Sequence, residues 1–454
     1  SNEDRILIQS VARVIISDTQ GTLAEQLSRA TPLEVRVPRF KPIQSRFAAD
    51  IPAGSGLPPR PDLILSNGLG GFTADGREYV ITTHTEHKTP APWVNILANP
   101  WFGTVISESG QAYTWCENAH EYRLTPWDND PVRDTGGEAF YIRDEANGTF
   151  WSPTPLPCPG SSEYISRHGF GYSVFEHHEN GVYSELTVCV PLDMPVKLFF
   201  FRIRNTSEQQ RPLSLTGYIE WVLGDLRPKT IPHIITECQT PGSAVIARNL
   251  YSMEFAQRVA FFQVDDSSRS MTGDRTEFIG RNGNLQQPAA MYRAGLSGRL
   301  GAALDPCTAL QVHFELAPGQ ERELVFTLGS GMNLADANHL IQRYRYRDAA
   351  VESLRQTQQY WVKVLSTVQV QTPDQAVNVL TNGWLVYQAF VCRLWGRSGY
   401  NQSGGAFGFR DQLQDVMALI HAEPQRVRDH ILLSASHQFI EGDVQHWWHP
   451  PFDR

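Results

Sequence analysis

The pattern of apolar and polar positions changes along the chain, and its longest stretch is typical of β-strands. Between residues 63 and 330, short alternating runs are separated by Gly, Pro, Asn and Asp, and Leu186, Val188 and Val190 illustrate the period of two. This period places successive apolar side chains on one face of a strand. Roughly a dozen or more such runs predict a large antiparallel β-sandwich over residues 63–330.

Helical spacing occupies the start of the chain. Residues 4–28 carry apolar residues at steps of three and four, with a break around residues 19–21, which predicts a helical N-terminal segment over residues 1–31. Residues 32–62 are rich in proline and lack a period, so we expect an extended linker there. This order suggests that the N-terminal segment is the tail of an upstream domain.

The helical period returns at Asn333, which is placed to open a helix. Apolar residues then recur at helical steps as far as residue 369, which predicts a helical linker over residues 331–371. Thr372 and Pro373 are suited to be the N-cap and first residue of the next helix. With a third helix after Asp411 and a fourth over about 424–439, residues 372–454 are predicted to form the start of an all-α domain that is incomplete as it stands.

The composition excludes several classes of protein. With 41% hydrophobic and 19% charged residues, the 454-residue chain is globular, and a net charge of −9 without a basic stripe argues against a nucleic-acid partner. The six cysteines lack metal-ligand spacing and are expected to be reduced thiols of a cytoplasmic chain. No apolar run is long enough to span a membrane, and the first residues do not resemble a signal peptide.

The stretch 404–415, GGAFGFRDQLQD, concentrates polar side chains after a glycine- and aromatic-rich approach. In a helix beginning near residue 409, Arg410 shares a face with Gln414, and Asp411 shares one with Asp415. A guanidinium fork, carboxylates and an amide together suit the hydroxyls of a sugar. The alternative is an ordinary helix N-terminus with an intrahelical Arg–Asp pair, and the spacing leaves both interpretations open.

Two further segments carry candidate site residues. In the run 441–450, EGDVQHWWHP, an extended backbone makes the side chains of His446, Trp447 and Trp448 alternate. No third ligand stands at a suitable spacing from its histidines, so no metal is expected. The loop 118–134 is either a solvated loop or a lid over a pocket. Its candidate lid residues are Glu121, Arg123, Trp127 and Asp128.

The absence of GxSxG, P-loop and Cys/His nucleophile patterns leaves carboxylate chemistry. Inverting glycosyl transfer needs a carboxylic acid to protonate the leaving oxygen. A hydrolase also needs a carboxylate base to activate water, whereas phosphorolysis uses phosphate, which is already an anionic nucleophile.

FGFRDQLQD at 407–415, followed by GDVQHWWHP at 442–450, resembles the disaccharide phosphorylases of glycoside hydrolase family 94. The runs NGLGGFTADGREYVI, TPAPWVN, ANPWFGTVISESGQAYTW and NAHEYRLTPWDNDPV resemble one branch of that family, the C-terminal region of cyclic β-1,2-glucan synthases. The likeness extends over nearly the whole chain from residue 63 onward.

The resemblance implies a multi-domain fold, with an N-terminal super-β-sandwich, a helical linker and the first part of an (α/α)6 barrel, commonly in a homodimer. It implies a glycosyltransferase of the phosphorylase type, which cleaves β-linked glucan with inversion to α-glucose 1-phosphate and uses inorganic phosphate as co-substrate without a further cofactor. Arg410, Asp411 and Asp415 would hold the non-reducing-end glucose, and the loop 117–134 would cover the site, either within one subunit or across a dimer interface. Gln414, His446, Trp447 and Trp448 are added as expected saccharide contacts.

One departure concerns the catalytic acid, which in the family lies in an SDDxLWL-type motif beyond HWWHP. This chain ends at Arg454 without that motif, so the acid and the phosphate ligands are expected beyond Arg454, and residues 1–454 alone are expected to be inactive. The parent is either a free phosphorylase or a membrane-bound synthase with this region in the cytoplasm. Alternatives are a non-catalytic glucan-binding module that sets chain length, a cellobionic acid or cellodextrin type phosphorylase, and a hydrolase.

Overall fold

The computed structural model describes residues 3–5, 8, 15–29, 37–42, 62–239 and 243–452. The chain divides into two compact units, Ser1–Pro38 and Arg39–Arg454. In the first unit a helix spans Leu23–Arg29, and Thr22 caps it, because Thr22 N donates to Glu25 Oε2 at 2.9 Å and Glu25 N donates back to Thr22 Oγ1. Residues 1–2, 6–7, 9–14 and 30–31 of the predicted N-terminal segment, and 32–36 and 43–61 of the predicted linker, lie outside the described residues.

The second unit begins with a β-sandwich. Its strands, numbered in chain order, are β1 (Gly70–Phe72), β2 (Glu78–Thr83), β3 (Val94–Ala98), β4 (Phe102–Ser107), β5 (Ala112–Cys116), β6 (Glu138–Asp144), β7 (Phe150–Trp151), β8 (Tyr164–Gly169), β9 (Tyr172–Glu179), β10 (Val182–Cys189), β11 (Val196–Asn205), β12 (Arg211–Glu220), β13 (Ile234–Cys238), β14 (Val245–Asn249), β15 (Val259–Val264), β16 (Arg269–Asp274), β17 (Pro306–Leu316) and β18 (Glu321–Gly331). A 10-stranded sheet has the order β1-β2-β8-β9-β10-β11-β18-β15-β14-β13, and a 5-stranded sheet has the order β16-β17-β12-β6-β7. β3, β4 and β5 form a third sheet.

Helices follow the sandwich, as the period of the sequence predicts. They are Leu334–Arg343, Arg347–Leu365, Gln375–Val379, Leu385–Gln388, Phe409–Val416 and Pro424–Ser436, with π-helical stretches at Leu380–Trp384 and Ala389–Gly396 and a 3-10 turn at Met417–Leu419. Short helical segments also interrupt the sandwich, at Arg227–Thr230, Ile231–His233, Arg275–Ile279 and Ala289–Tyr292. A two-stranded ribbon of β19 (Phe407–Gly408) and β20 (Trp447–Trp448) lies among the later helices. The predicted antiparallel sandwich followed by a helical region is confirmed.

The main core lies between the 10-stranded and 5-stranded sheets. Phe140 of β6 packs against Phe201 of β11 and Phe326 of β18, with ring centroids 4.8 and 5.3 Å away. Leu186 and Val188, which alternate on β10, belong to the same core. The period of two therefore buries one face of each strand, and burial of this apolar surface is what holds the sheets together.

A buried ion pair connects the three sheets. Lys197 of β11 donates to Glu138 of β6 at 2.7 Å and to Thr104 of β4 at 2.8 Å, and Lys197 and Glu138 are both buried. Burial lowers the pKa of Lys197, and the Glu138 charge opposes that shift. The carboxylate also accepts hydrogen bonds from Thr114 and Thr125, so both ions are compensated inside the sandwich.

The helical region packs onto two different surfaces of the sandwich. Helix Leu334–Arg343 places Leu340 and Ile341 against the outer face of the 10-stranded sheet. Trp361, Trp384 and Tyr387, from the following helices, pack against the β3-β4-β5 sheet, as do the other buried members of this cluster.

Helix boundaries differ from the predictions at two places. Asn333 caps its helix as expected, since its side chain accepts from Asp336 N. The next predicted cap, Thr372, is wrong: Asp374 is the N-cap and accepts from Ala376 N, while the Thr372 hydroxyl donates to the Asp374 carbonyl. The helix expected to reach residue 439 ends at Ser436, where the chain turns toward β20.

Candidate functional site

A short β-ribbon brings together the two motifs of the C-terminal region. In it, Phe407 lies opposite Trp448, and the Phe409 N–H donates to the His446 carbonyl at 3.1 Å. The start of helix Phe409–Val416 therefore lies beside the His-Trp-Trp-His run, although helix Pro424–Ser436 and its flanking loops separate them in sequence.

Helix Phe409–Val416 presents three of the expected saccharide contacts to solvent. Arg410, Asp411 and Gln414 are exposed, and Arg410 Nη2 lies 3.0 Å from Asp411 Oδ1. The hydrogen bond from this guanidinium lowers the pKa of Asp411. Asp411 is thus ionised at neutral pH, which suits it to accept hydrogen bonds from hydroxyls and makes it a poor proton donor.

Asp415 lies in a different environment from Asp411. Its Oδ2 is 2.9 Å from Arg393 Nε and 3.7 Å from Arg397 Nη1, so it pairs with the end of the preceding π-helical stretch. Arg397 also donates from Nε to the Ala406 carbonyl at 2.7 Å. These contacts fix the helix against its neighbour, and saccharide contact by Asp415 stays a prediction.

The three aromatic candidates of the second motif have different exposures. Trp448 is 1% exposed and stacks on His437 with ring centroids 3.8 Å apart. Trp447, on the opposite side of the ribbon, is 60% exposed, and His446 is exposed with its ring centroid 6.3 Å from that of Trp447. Trp447 and His446 are therefore available to a ligand, whereas Trp448 holds the ribbon in place.

The candidate lid loop is tied to the segment that leads into the first motif. Arg123, only 5% exposed, donates from Nη2 to Ser403 Oγ at 2.9 Å and from Nη1 to the Asp225 carbonyl at 2.7 Å. Trp127 Nε1 donates to the Tyr400 carbonyl at 3.1 Å. Arg123 and Ser403 are 280 residues apart in sequence, so these contacts anchor the loop to a distant part of the chain. A role for the loop as a lid stays a prediction.

The other two candidate lid residues are more open. Glu121 Oε1 lies 2.8 Å from His120 Nδ1, and the side chains of Glu121 and His120 are 30% and 44% exposed. Asp128 accepts from the Asp130 N–H and from the Thr135 hydroxyl, so it organises the loop itself. The His120 ring centroid is 6.4 Å from that of His449, which places this part of the loop beside the second motif.

Asn118 is a positioning residue that the sequence did not single out. Its Nδ2 donates to the carbonyls of Gly405 and Pro450, both at 2.9 Å. One side chain thus joins the loop, the approach to the first motif and the end of the second. Gly405 has φ +65°, and a Cβ there would lie 2.0 Å from Asn118 Oδ1, so only glycine fits this contact.

A further wall of this region comes from the loop between β14 and β15. Phe255 stacks on Tyr122 with centroids 4.5 Å apart and meets Phe452 at 5.2 Å, and Arg258 forms an ion pair with Glu117. These aromatic contacts were not expected, because no local pattern at 249–258 indicates the distant partners.

Together, the helix Phe409–Val416 and the adjoining ribbon expose a guanidinium, an ionised carboxylate, an amide, an imidazole and an indole. This combination of donors, acceptors and a flat apolar face can bind a polyhydroxylated ring. Within the described residues, no group of three or more His, Cys, Asp or Glu side chains is arranged to hold a metal ion. Among the helices described, none has the length and apolar character needed to cross a membrane.

The sequence matches two profiles of one family. Residues 77–347 match "Glycosyl hydrolase 94, supersandwich domain", and residues 360–454 match "Glycosyl hydrolase 94 superfamily, catalytic domain". The first profile ends and the second begins where the sandwich has given way to helices.

Curated relatives agree with these matches. The chain is 37% identical to the cyclic beta-(1,2)-glucan synthase NdvB of Rhizobium meliloti (strain 1021), over 98% of this chain and 16% of that protein. It is 28% identical to the N,N'-diacetylchitobiose phosphorylase of Vibrio furnissii, over 80% of this chain and 46% of the enzyme. It is 26% identical to the 3-O-beta-D-glucopyranosyl-beta-D-glucuronide phosphorylase of Paenibacillus borealis, over 84% and 48%. The chain thus spans less than half the length of each of these relatives, and it belongs to glycosyl hydrolase family 94.

Proposed function

We propose that this chain forms the sandwich and the first helices of an inverting phosphorylase-type domain that acts on β-1,2-linked glucan, within a cyclic β-1,2-glucan synthase. The observation that carries the proposal is that direct contacts join the candidate lid loop, the approach to the FRDQLQD helix and the HWWH ribbon. Polar side chains of the helix and aromatic side chains of the ribbon are exposed beside these contacts. The β-1,2 linkage is proposed from the likeness to the synthase NdvB, and phosphorolysis from the likeness to named phosphorylases.

In the proposed reaction, an oxygen of inorganic phosphate forms a bond to the anomeric carbon of the terminal glucose while the glycosidic C–O bond breaks. The leaving oxygen takes a proton from a carboxylic acid, and the products are α-glucose 1-phosphate and a glucan shorter by one unit. We assign Arg410, Asp411 and Gln414 to hydrogen bonds with the glucose hydroxyls and Trp447 to stacking. Asp411 is not assigned as the acid, because the lowered pKa of its carboxyl makes it a poor proton donor, and Asp415 is not, because its carboxylate is occupied by Arg393 at 2.9 Å.

The test uses the chain extended through the rest of the family's catalytic domain, with β-1,2-glucooligosaccharides and with or without inorganic phosphate. We expect α-glucose 1-phosphate only when phosphate is present. Free glucose formed at a rate independent of phosphate would identify a hydrolase, and saturable binding without either product would identify a glucan-holding module.

Two variants test the role that is proposed for Arg410. Arg410→Ala is expected to lower kcat/KM about a hundredfold or more, since a charged donor to the substrate is lost. The matched control is Arg428→Ala, which changes an exposed arginine of the neighbouring helix Pro424–Ser436. Equal losses in the two variants would contradict the assignment of Arg410.

A further inference from the structure

A large cavity lies where the sandwich meets the helices, and its lining includes none of the residues of the motif surface, by which we mean the exposed side chains of the FRDQLQD helix and the HWWH ribbon. It has a volume of about 980 Å³ and is bordered by the β1–β2 turn, the β8–β9 turn, helix Arg347–Leu365 and the helix that begins at Gln375. Junctions of this kind are common ligand sites, and the volume is at the upper end of the range for small-molecule pockets, about 300–1,000 Å³. It can therefore hold a ligand larger than a single sugar ring.

The walls of the cavity are held in place by contacts unconnected with any ligand. Trp384 Nε1 donates to the Gly76 carbonyl at 2.9 Å, which ties the β1–β2 turn to the π-helical stretch Leu380–Trp384. Gly383, on the same stretch, packs so closely on Phe170 that a Cβ would lie 2.5 Å from its ring. π-helical turns are frequent at functional sites, and here one of them forms a wall of a fixed cavity.

Two polar side chains of the lining are free to meet a ligand. Gln358 and Gln375 are exposed, and no hydrogen bond of their amides is found within the described part of the chain. A planar amide both donates and accepts hydrogen bonds, as the recognition of sugar hydroxyls requires. Trp361 also lines the cavity, but it is buried in the core and supplies only a fixed apolar wall.

The charges of the lining favour a neutral ligand. Its charged residues are Asp75, Arg77 and Glu78. Arg77 Nε lies 3.8 Å from Asp75, and Glu78 is already bound by Arg167 at 3.1 Å and by the Tyr172 hydroxyl at 2.7 Å. No unpaired cation of the described lining is available to hold a phosphate, so the cavity is unsuited to an anion.

We propose that this junction cavity is a second saccharide site, which binds a neutral oligosaccharide independently of the FRDQLQD and HWWH surface. That the oligosaccharide is a segment of the same β-linked glucan rests on the proposed function. The cavity then holds a remote part of a long chain while the motif surface holds its end.

The experiment is a calorimetric titration of the 454-residue chain with a β-1,2-glucooligosaccharide of defined length. In the Arg410→Ala background, which weakens the motif surface, residual binding is expected. Adding Gln358→Ala and Gln375→Ala is expected to weaken that residual binding about tenfold or more. The matched control adds Gln359→Ala and Gln371→Ala, which change exposed glutamines that do not line the cavity.

Loss of all binding in Arg410→Ala alone, absence of binding in the unmodified chain, or equal effects of the two glutamine pairs would overturn the proposal. If Arg410→Ala has no effect while the Gln358 and Gln375 changes abolish binding, the cavity site stands and the assignment of the motif surface fails.

Discussion

At the scale of single residues, polar side chains fix loops that the backbone alone would leave open. Asn118 and Arg123 fix the candidate lid loop 118–134 in this way. Glu108 fixes the Thr-Pro-Ala-Pro-Trp segment at 89–93, because its carboxylate accepts hydrogen bonds from the Thr89 hydroxyl and, at 2.7 Å, from the Trp93 N–H. Such residues could not be identified from the sequence, because their partners are set by the folded topology and no local pattern marks them.

The first prediction concerns pH and Glu108. Burial raises its pKa from 4.5 to about 7, and the charge of Asp134 adds to the rise. The unfolded chain therefore loses this proton first, and stability falls as pH rises from 4.5 to about 7, by on the order of 3 kcal/mol at most. Glu108→Gln keeps an acceptor for Trp93 N and removes the ionisation, so urea unfolding should show a flatter pH dependence.

The control for this prediction is Glu86→Gln, which changes an exposed glutamate nearby. It should leave the pH dependence of the unfolding free energy as in the unmodified chain. A Glu108→Gln protein that loses stability between pH 4.5 and about pH 7 as steeply as the original would contradict the shifted pKa.

The second prediction concerns Arg123. Arg123→Ala removes buried hydrogen bonds to Ser403 and to the Asp225 carbonyl and is expected to cost about 2–4 kcal/mol in the free energy of unfolding. Arg133→Ala, in the same loop but 67% exposed at the side chain, should leave the free energy of unfolding nearly unchanged. Urea denaturation of both proteins, with protease sensitivity of the loop, measures the difference, and equal stabilities would refute an anchoring role.

At the scale of elements, the ribbon of β19 and β20 is the device that makes one surface from two motifs. The sequence predicted both motifs and the alternation of His446, Trp447 and Trp448, yet it could not tell which tryptophan faces solvent. That choice depends on the register Phe407↔Trp448, and a shift by one residue would exchange the two rings.

The third prediction uses this pair of tryptophans. Trp448→Ala is expected to cost about 3–5 kcal/mol, since a buried ring stacked on His437 is removed. Trp447→Ala should change stability by less than about 1 kcal/mol but weaken saccharide binding about tenfold. Thermal unfolding and glucan titration on both variants test the division, and a stable Trp448→Ala protein with impaired binding would reverse the assigned roles.

At the scale of the whole molecule, the sandwich and the helical region of the second unit share a core. Tyr387 donates to the Ile96 carbonyl at 2.8 Å and accepts from Gly171 N at 3.1 Å, beside the buried rings of Trp361 and Trp384. The period of the sequence predicted both regions and the change from strand to helix near residue 333. It could not predict their shared core, because a helical apolar stripe does not specify which surface covers it.

The fourth prediction is that Tyr387→Phe leaves the Gly171 N–H unpaired and costs about 1–3 kcal/mol. Because Tyr387 links the two regions, the loss should appear in one unfolding transition of the sandwich and helices together. Tyr346→Phe, at a 70% exposed position, is the control. Calorimetry would contradict the shared core if the sandwich melted unchanged while only the helical region shifted.

The position of β18 has a consequence for how the chain acquires its fold during synthesis. β18 is the last strand of the sandwich in sequence, yet it lies inside the 10-stranded sheet, paired with β11 on one side and β15 on the other. Until residues 321–331 have left the ribosome, β11 and β15 each have one edge whose backbone N–H and C=O groups are unpaired, namely the edge that β18 later covers. Nascent chains that stop before β18 should therefore need chaperone protection, and those that include it should close the sheet in one step.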